Sequence, residues 1–263
     1  VERTSPTNNA FFGAAYGAGV FVINGNGGIF TSSDGKSWTQ TSSGVERTVI
    51  YGNGLFVTSS GKYSQDGYNW SGGTSGQNFG VAYGNNKYVI VPYTLDTNSQ
   101  YSSDGINWTS TAPFPFQIGN VNNGYLWDVT FGNGLFVGVG TEGRIISSSD
   151  GINWVQRNGS PSLGSNLISF IEYVNGNFIA GGQSGIFYTS TDGTNWSSAS
   201  VGSTPPGRSY PIHMAGTYGN GKYFLAGYET LITSSDLQNW TDKGFGISFS
   251  GGGIGIYRMI YKN

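Results

Sequence analysis

Apolar positions along this chain come in short alternating runs. Val20-Phe-Val-Ile23, Leu55-Phe-Val57 and Lys222-Tyr-Phe-Leu225 are typical. They are rich in β-branched and aromatic residues and are bounded by Gly, Asn, Asp and Ser, the pattern of strands separated by tight turns. Almost nothing has helical spacing. The runs also repeat. The first copy reads Tyr16-Gly-Ala-Gly-Val-Phe-Val-Ile23 followed by Ser32-Ser-Asp34-Gly-Lys-Ser-Trp38, and the fourth reads Phe131-Gly-Asn-Gly-Leu-Phe-Val137 followed by Ser148-Ser-Asp150-Gly-Ile-Asn-Trp154. Six copies close on Trp38, Trp70, Trp108, Trp154, Trp196 and Trp240, spaced between 32 (Trp38 to Trp70) and 46 (Trp108 to Trp154) residues apart. That period suits one four-stranded unit, which cannot bury its apolar face alone and must stack on neighbours. The expected fold is all-β: a β-propeller with six complete four-stranded blades, formed by residues 1–263 as a single domain.

The turns give each unit its path. Asn53-Gly54, Asn133-Gly134 and Asn220-Gly221 are set to join a first strand (A) to a second (B), as type I′ turns with positive φ at both central residues. Repeat one has Ala18-Gly19 and repeat three Asn85-Asn86 at that place. Asp34-Gly35, Asp66-Gly67, Asp104-Gly105, Asp150-Gly151 and Asp192-Gly193 join a third strand (C) to a fourth (D), and Asp236 is followed by Leu237 instead of Gly.

The Ser-x-Asp-Gly-x-x-Trp segments resemble the Asp-box, or bacterial neuraminidase repeat, of sialidase-type and other secreted propellers. The resemblance spans nearly the whole chain. It implies that Asp34, Asp66, Asp104, Asp150, Asp192 and Asp236 cap backbone N–H groups of the C–D turn, and that the six tryptophans pack into the blades. The family box has an extra residue between Asp and Gly. The turn here is therefore either a plain two-residue hairpin or the fuller box loop. The box is a folding element found in enzymes, lectins and scaffolds alike, so it carries no function of its own. The repeats are also similar to those of phage structural and bacterial secreted proteins.

Both ends break the repeat. Val1-Glu-Arg-Thr-Ser-Pro6 resembles Val155-Gln-Arg-Asn-Gly-Ser-Pro161, part of a D strand, and Tyr257-Arg-Met-Ile-Tyr-Lys-Asn263 resembles the A strand at Arg47–Asn53. A terminal A strand and a terminal D strand are expected to meet at an incomplete seventh blade. Its unpaired edges would take a donated hairpin from a partner or a neighbouring subunit, or a missing N-terminal stretch of the same polypeptide. The alternative is a closed six-bladed ring. The start at Val1 points to processing or truncation.

Composition narrows the function classes. Only 10% of the residues are charged and the net charge is −2, so the basic stripe that drives nucleic-acid binding is missing. There is no cysteine, hence no disulfide and no thiolate chemistry. No apolar run approaches the roughly 20 residues that span a bilayer. Neither a metal site nor a cofactor is expected.

Irregularity concentrates on one face. The D–A connections lengthen from Thr41–Glu46 to Thr109–Leu126, Arg157–Leu167 and Ser197–Ile212, and insertions on one face of a repeat fold often mark the binding face. Trp127 is the only tryptophan outside the boxes. With Asp128, Phe114, Phe116 and Tyr125 it forms an aromatic segment suited to the C–H faces of a sugar. Glu142 in a B–C turn and Arg157, Arg208, Tyr210 and His213 in or beside D–A loops could meet its hydroxyls or charges. Plainer roles fit the same residues: Trp127 as inter-blade core, Phe114 and Phe116 as anchors of a long loop, His213 as a loop hydrogen-bonder and the arginines as solvated or paired charges. Asn107, Asn195 and Asn239 match a glycosylation sequon only because the turn recurs.

An enzyme is the weakest reading. Six of the 14 acidic residues are committed to turns, and Asp96, Asp128, Glu142, Glu172, Glu229 and Asp242 are scattered over different repeats. Retaining glycosidases need two carboxyls about 5–5.5 Å apart. The expected function is a non-catalytic structural or adhesion propeller of a surface or virion assembly. It would be extracellular, with a glycan or protein partner on the long-loop face. A stand-alone lectin is the alternative, and a sialidase-like hydrolase comes last.

Overall fold

The computed structural model describes residues 5–73, 78–93, 98–114, 125–157, 167–182, 186–200, 213–227 and 230–243. They form six four-stranded antiparallel sheets, each with its strands in sequence order. Blade 1 holds β1 (Phe11–Gly17), β2 (Val20–Gly25), β3 (Gly28–Ser32) and β4 (Thr39–Ser42). Blade 2 holds β5 (Val49–Gly52), β6 (Leu55–Thr58), β7 (Lys62–Ser64) and β8 (Ser71–Gly72). Blade 3 holds β9 (Asn78–Gly84), β10 (Lys87–Pro92), β11 (Gln100–Ser102) and β12 (Thr109–Ser110). Blade 4 holds β13 (Leu126–Gly132), β14 (Leu135–Gly140), β15 (Ile145–Ser148) and β16 (Val155–Arg157), with a single 3₁₀ turn at Thr141–Gly143. Blade 5 holds β17 (Ile168–Val174), β18 (Asn177–Gly182), β19 (Ile186–Ser190) and β20 (Ser197–Ser200). Blade 6 holds β21 (His213–Gly219), β22 (Lys222–Gly227), β23 (Thr230–Ser234) and β24 (Thr241–Asp242). The first strands β1, β5, β9, β13, β17 and β21 touch one another in that order. The fold is a β-propeller, and the described residues make six blades of it. The expected terminal strands at 1–5 and 257–261, and with them the seventh position and its donated hairpin, lie outside the described residues apart from Ser5.

The recurrent Tyr-Gly and Phe-Gly pairs make the seams. In every blade the aromatic ring leans on the second-strand aromatic opposite, with centroids 4.5–4.7 Å apart from Tyr16–Phe21 through Tyr218–Tyr223. The glycine that follows it receives the next blade's ring: Gly17 meets Tyr51, Gly84 meets Phe131 and Gly132 meets Tyr173, each so closely that a Cβ would overlap the ring. At blade 5 Val174 takes the glycine's place and packs into the seam with blade 6. The core is accordingly divided into five clusters, one per described seam.

The box tryptophans belong to these seams. Trp70, Trp108, Trp154, Trp196 and Trp240 each join the cluster shared with the preceding blade, whereas Trp38 of blade 1 is in none. Trp154 and Trp196 are buried and the other four half-buried. Trp70 Nε1 donates to Gly67 O (2.9 Å) and to Thr41 Oγ1 of blade 1 (3.2 Å), and Trp154 Nε1 donates to Ser99 Oγ of blade 3 (3.2 Å).

The A–B turns are as expected, with both central residues at positive φ. Asn175-Gly176 adds a further pair, and Ala18 (φ 47°) sits in this region without the side-chain help that Asn brings. The C–D turn differs from the hairpin expectation. The ladder pairs Thr31 with Thr39 and Ser147 with Val155, so seven residues from Ser to Trp loop out. Side-chain caps explain the difference. The serine Oγ accepts the N–H of the residue after Asp (2.8–3.0 Å), and Asp Oδ1 accepts the next two N–H groups (2.7–2.9 Å). In blades 2 to 6 an Asn side chain also donates to Asp Oδ2 (2.7–2.9 Å), which occupies Asn107, Asn195 and Asn239 of the sequons.

Asp128 is a seam element as well. It is 5% exposed, and its Oδ1 accepts Val129 N (2.9 Å) while Oδ2 accepts Ile171 N of blade 5 (3.1 Å). These are inner-edge amides that no strand covers. The same position is Gly13 in blade 1, where the buried Asn24 side chain fills the space.

Three outcomes follow from these contacts. Gly132→Ala is expected to lower stability by about 1–3 kcal/mol in chemical denaturation, since overpacking forces the Tyr173 ring to move. Asp128→Asn leaves one acceptor for two buried amides and is expected to cost about 1–3 kcal/mol without changing ligand binding. The third concerns acid. Hydrogen bonds from Ser37 N, Lys36 N and the Ser32 hydroxyl hold the Asp34 carboxyl down at about 2. The backbone and side chain of the following Asn hold Asp66, Asp104, Asp192 and Asp236 well below the usual carboxylate range. At Asp150 burial opposes the lowering, but the Asn153 and Ile152 amides prevail. A folded-state value depressed in this way stabilises above the unfolded value near 3.9 and is lost as pH falls through the folded one. The melting temperature should therefore be level from about pH 8 to 5 and fall steadily from about pH 4 to 2. A level melt down to pH 2 would contradict the capping role.

Candidate functional site: an aromatic and arginine rim

Near the start of β1, β9, β13, β17 and β21 the ladder skips one residue: Phe12, Phe79, Trp127, Ser169 and Met214 respectively. Each stands four positions before the aromatic residue that closes its strand. In blade 2 the same place, four before Tyr51, belongs to Arg47. A bulge frees a side chain from the pleat and re-aims it. All six lie at or just before the start of a first strand, on the face that carries the D–A connections.

Four of these side chains, with two tyrosines, run together along the rim. Arg47 Cζ lies 4.4 Å from the Phe12 ring centroid and 4.8 Å from that of Phe79. Phe79 stacks on Tyr93 (4.4 Å, 19°), and Tyr93 stacks on Tyr125 (4.2 Å, 11°). Trp127 meets Phe79 and Tyr93 edge-to-face, at 5.0 Å and 6.3 Å. The contacts thus pass Phe12–Arg47–Phe79–Tyr93–Tyr125 across blades 1 to 4. Phe79 is buried and the other five are half-buried. Burial, then the neighbouring Tyr125, pushes the Tyr93 hydroxyl above its ordinary value.

The polar groups of the rim are mostly donors. Trp127 Nε1 is buried without a hydrogen-bond partner. The Arg47 guanidinium has its two ring contacts and, among the described residues, no hydrogen bond or ion pair. Its neighbour Glu46 is 2% exposed and engaged elsewhere: Oε1 accepts from Lys62 Nζ (3.0 Å) and Ser60 Oγ (3.0 Å). Lys62 also reaches Ser42 Oγ and Ser43 O (both 3.1 Å), which ties blade 2 to blade 1.

The other sequence candidates are placed apart. Phe114 packs edge-to-face on Trp154 (6.2 Å) in the seam of blades 3 and 4. Arg157 is on an outermost strand and donates from Nε to Ser147 Oγ (2.7 Å). Glu142 adopts a left-handed conformation (φ 58°) in the 3₁₀ turn and pairs with Arg144 Nη2 at 3.5 Å. Arg144 itself is buried with Nε and Nη1 unpartnered, and desolvation lowers its pKa. Phe116, Arg208 and Tyr210 lie outside the described residues. His213 opens β21, and its side chain is also outside them. Of the candidates whose side chains are described, Trp127 and Tyr125 come together, through Tyr93. Phe12, Arg47, Phe79 and Tyr93 were missed. Aligning the repeats on their Tyr-Gly pairs would have found the first three.

Among the described residues no group of three or more His, Asp or Glu could hold a metal ion, and no helix is long and apolar enough to cross a membrane.

No family model and no curated protein matches this chain. Solved structures do. YCF48 from Cyanidioschyzon merolae aligns with TM-score 0.62 and 15% identity over 91% of this chain and 86% of that one. YCF48 bound to D1 peptide aligns at 0.59 and 17% identity, over 85% and 77%. The extracellular domain of the putative hybrid two-component system BT4673 from B. thetaiotaomicron aligns at 0.69 and 10% identity, over 98% of this chain and 36% of that one. At such identities the likeness concerns the fold, and it agrees with the six blades in making this chain a β-propeller.

Proposed function

We propose that this chain is a non-catalytic binding propeller, a structural or adhesion component of an extracellular surface or virion assembly that takes a glycan on its long-loop face. The observation that carries the reading is the rim. Aromatic side chains of blades 1, 3 and 4 converge there around Arg47 of blade 2, and the tryptophan N–H among them is buried without a hydrogen-bond partner. Aromatic bodies with polar tips suit ligands that are apolar on one side and hydroxylated on the other. The acidic groups described above are engaged in structural bonds: the box aspartates and Asp128 hold amides, Glu46 holds Lys62 and Glu142 meets Arg144. That engagement supports binding over acid–base chemistry. A protein segment is the second reading, favoured by the propeller of similar fold that was solved with a peptide bound.

A glycan array on the isolated chain tests the reading. Trp127→Phe keeps a ring and removes only the unpartnered N–H. It should leave the melt unchanged and weaken the best glycan about 2- to 10-fold, the net worth of one hydrogen bond. Trp127→Ala should weaken it more than tenfold. Full affinity in both variants, or recognition of a peptide library with no glycan bound, would overturn the proposal.

A further inference from the structure

The rim carries a cation that the fold does not use. Arg47 stands where the other blades place Phe12, Phe79, Trp127, Ser169 or Met214, so the position itself does not require a charge. Its guanidinium carbon is held between the rings of Phe12 and Phe79. Among the described residues no carboxylate pairs with it: Glu46, next in sequence, directs Oε1 to Lys62 and Ser60. Among the described residues none of its N–H groups has a hydrogen-bond acceptor, its contacts being the two rings. Ring contacts engage the π system, whereas the N–H groups radiate in the guanidinium plane and stay available. A half-buried, unpaired cation is costly to keep unless something completes it. Nearby, Trp127 Nε1 is a second donor without an acceptor.

We infer that the rim recognises a carboxylate-bearing glycan, with Arg47 as the residue that pairs with the carboxylate and Trp127 Nε1 as a supporting donor. This deepens the glycan reading above and rests on it. The geometry suits a carboxylate better than a hydroxyl. A planar fork pairs with two oxygens at once, and a charge-assisted pair is about twice as strong as a neutral hydrogen bond. The two phenylalanine rings act as positioning residues. They fix the guanidinium before the ligand arrives and so reduce the ordering cost of binding.

The test is an array in which each carboxylated oligosaccharide is printed beside its methyl ester, followed by calorimetry on the strongest pair. Esterification keeps the sugar and removes the charge. The wild-type chain is expected to prefer the free acid at least tenfold and to lose that preference as salt rises. Arg47→Gln should bind acid and ester alike, with the weaker affinity of the ester. Arg47→Lys keeps the charge but not the planar fork, and should retain an intermediate preference. It also serves as the control if Arg47→Gln folds poorly. Equal binding of acid and ester by the wild type, or a preference that survives in Arg47→Gln, overturns the carboxylate inference and leaves the glycan reading standing. Binding of no glycan at all overturns both.

Discussion

Each described blade from the second to the fifth is locked to the one before it by a ring seated on a glycine. Tyr51 on Gly17, Phe131 on Gly84 and Tyr173 on Gly132 leave no room for even a methyl group between the innermost strands. The same ring leans on the second strand of its own blade, so one side chain couples the pleat within a blade to the spacing between blades. A four-stranded sheet of this size has no core of its own. Its apolar residues are buried in the seams, so stability is a nearest-neighbour quantity passed along the ring. The box tryptophans add a second, outer contact to most seams, and Asp128 adds a polar one between blades 4 and 5.

Features set by local chemistry and repeated at a fixed period were legible in the sequence. The six units, the Asn-Gly turns and the Asp and Trp of each C–D turn could be read directly. The C–D turn was longer than Asp-Gly suggests because its bonds come from side chains. Serine and aspartate close seven residues without a ladder, and a two-residue turn signal does not register that. Asp128 was grouped with Trp127 because they are adjacent. The bulge separates them, sending Trp127 to the rim while Asp128 turns to the amides of Val129 and of Ile171 in blade 5.

The rim was the harder part to see. Phe12, Arg47, Phe79 and Trp127 carry no motif and differ in chemistry. What they share is an offset from the strand's closing aromatic, and their contacts form only once the blades are in a ring. Tyr93 enters from the far end of β10 and has no counterpart in the repeat pattern. A regular scaffold has in this way left the starts of its innermost strands free to vary, on the face that carries the D–A connections. Glu46 and Lys62 illustrate the division of labour beside it: they pair with each other and tie two blades together, while Arg47 lies against the rings.

The central claim is that recognition happens at this rim and that the box tryptophans only hold the blades. Fluorine NMR on protein labelled with 5-fluorotryptophan separates the two directly, because the chain has seven tryptophans and only Trp127 is at the rim. On titration with a bound glycan, the Trp127 resonance should shift and saturate while the six box resonances stay in place. A shift confined to box tryptophans, with Trp127 unmoved at saturation, would contradict the account.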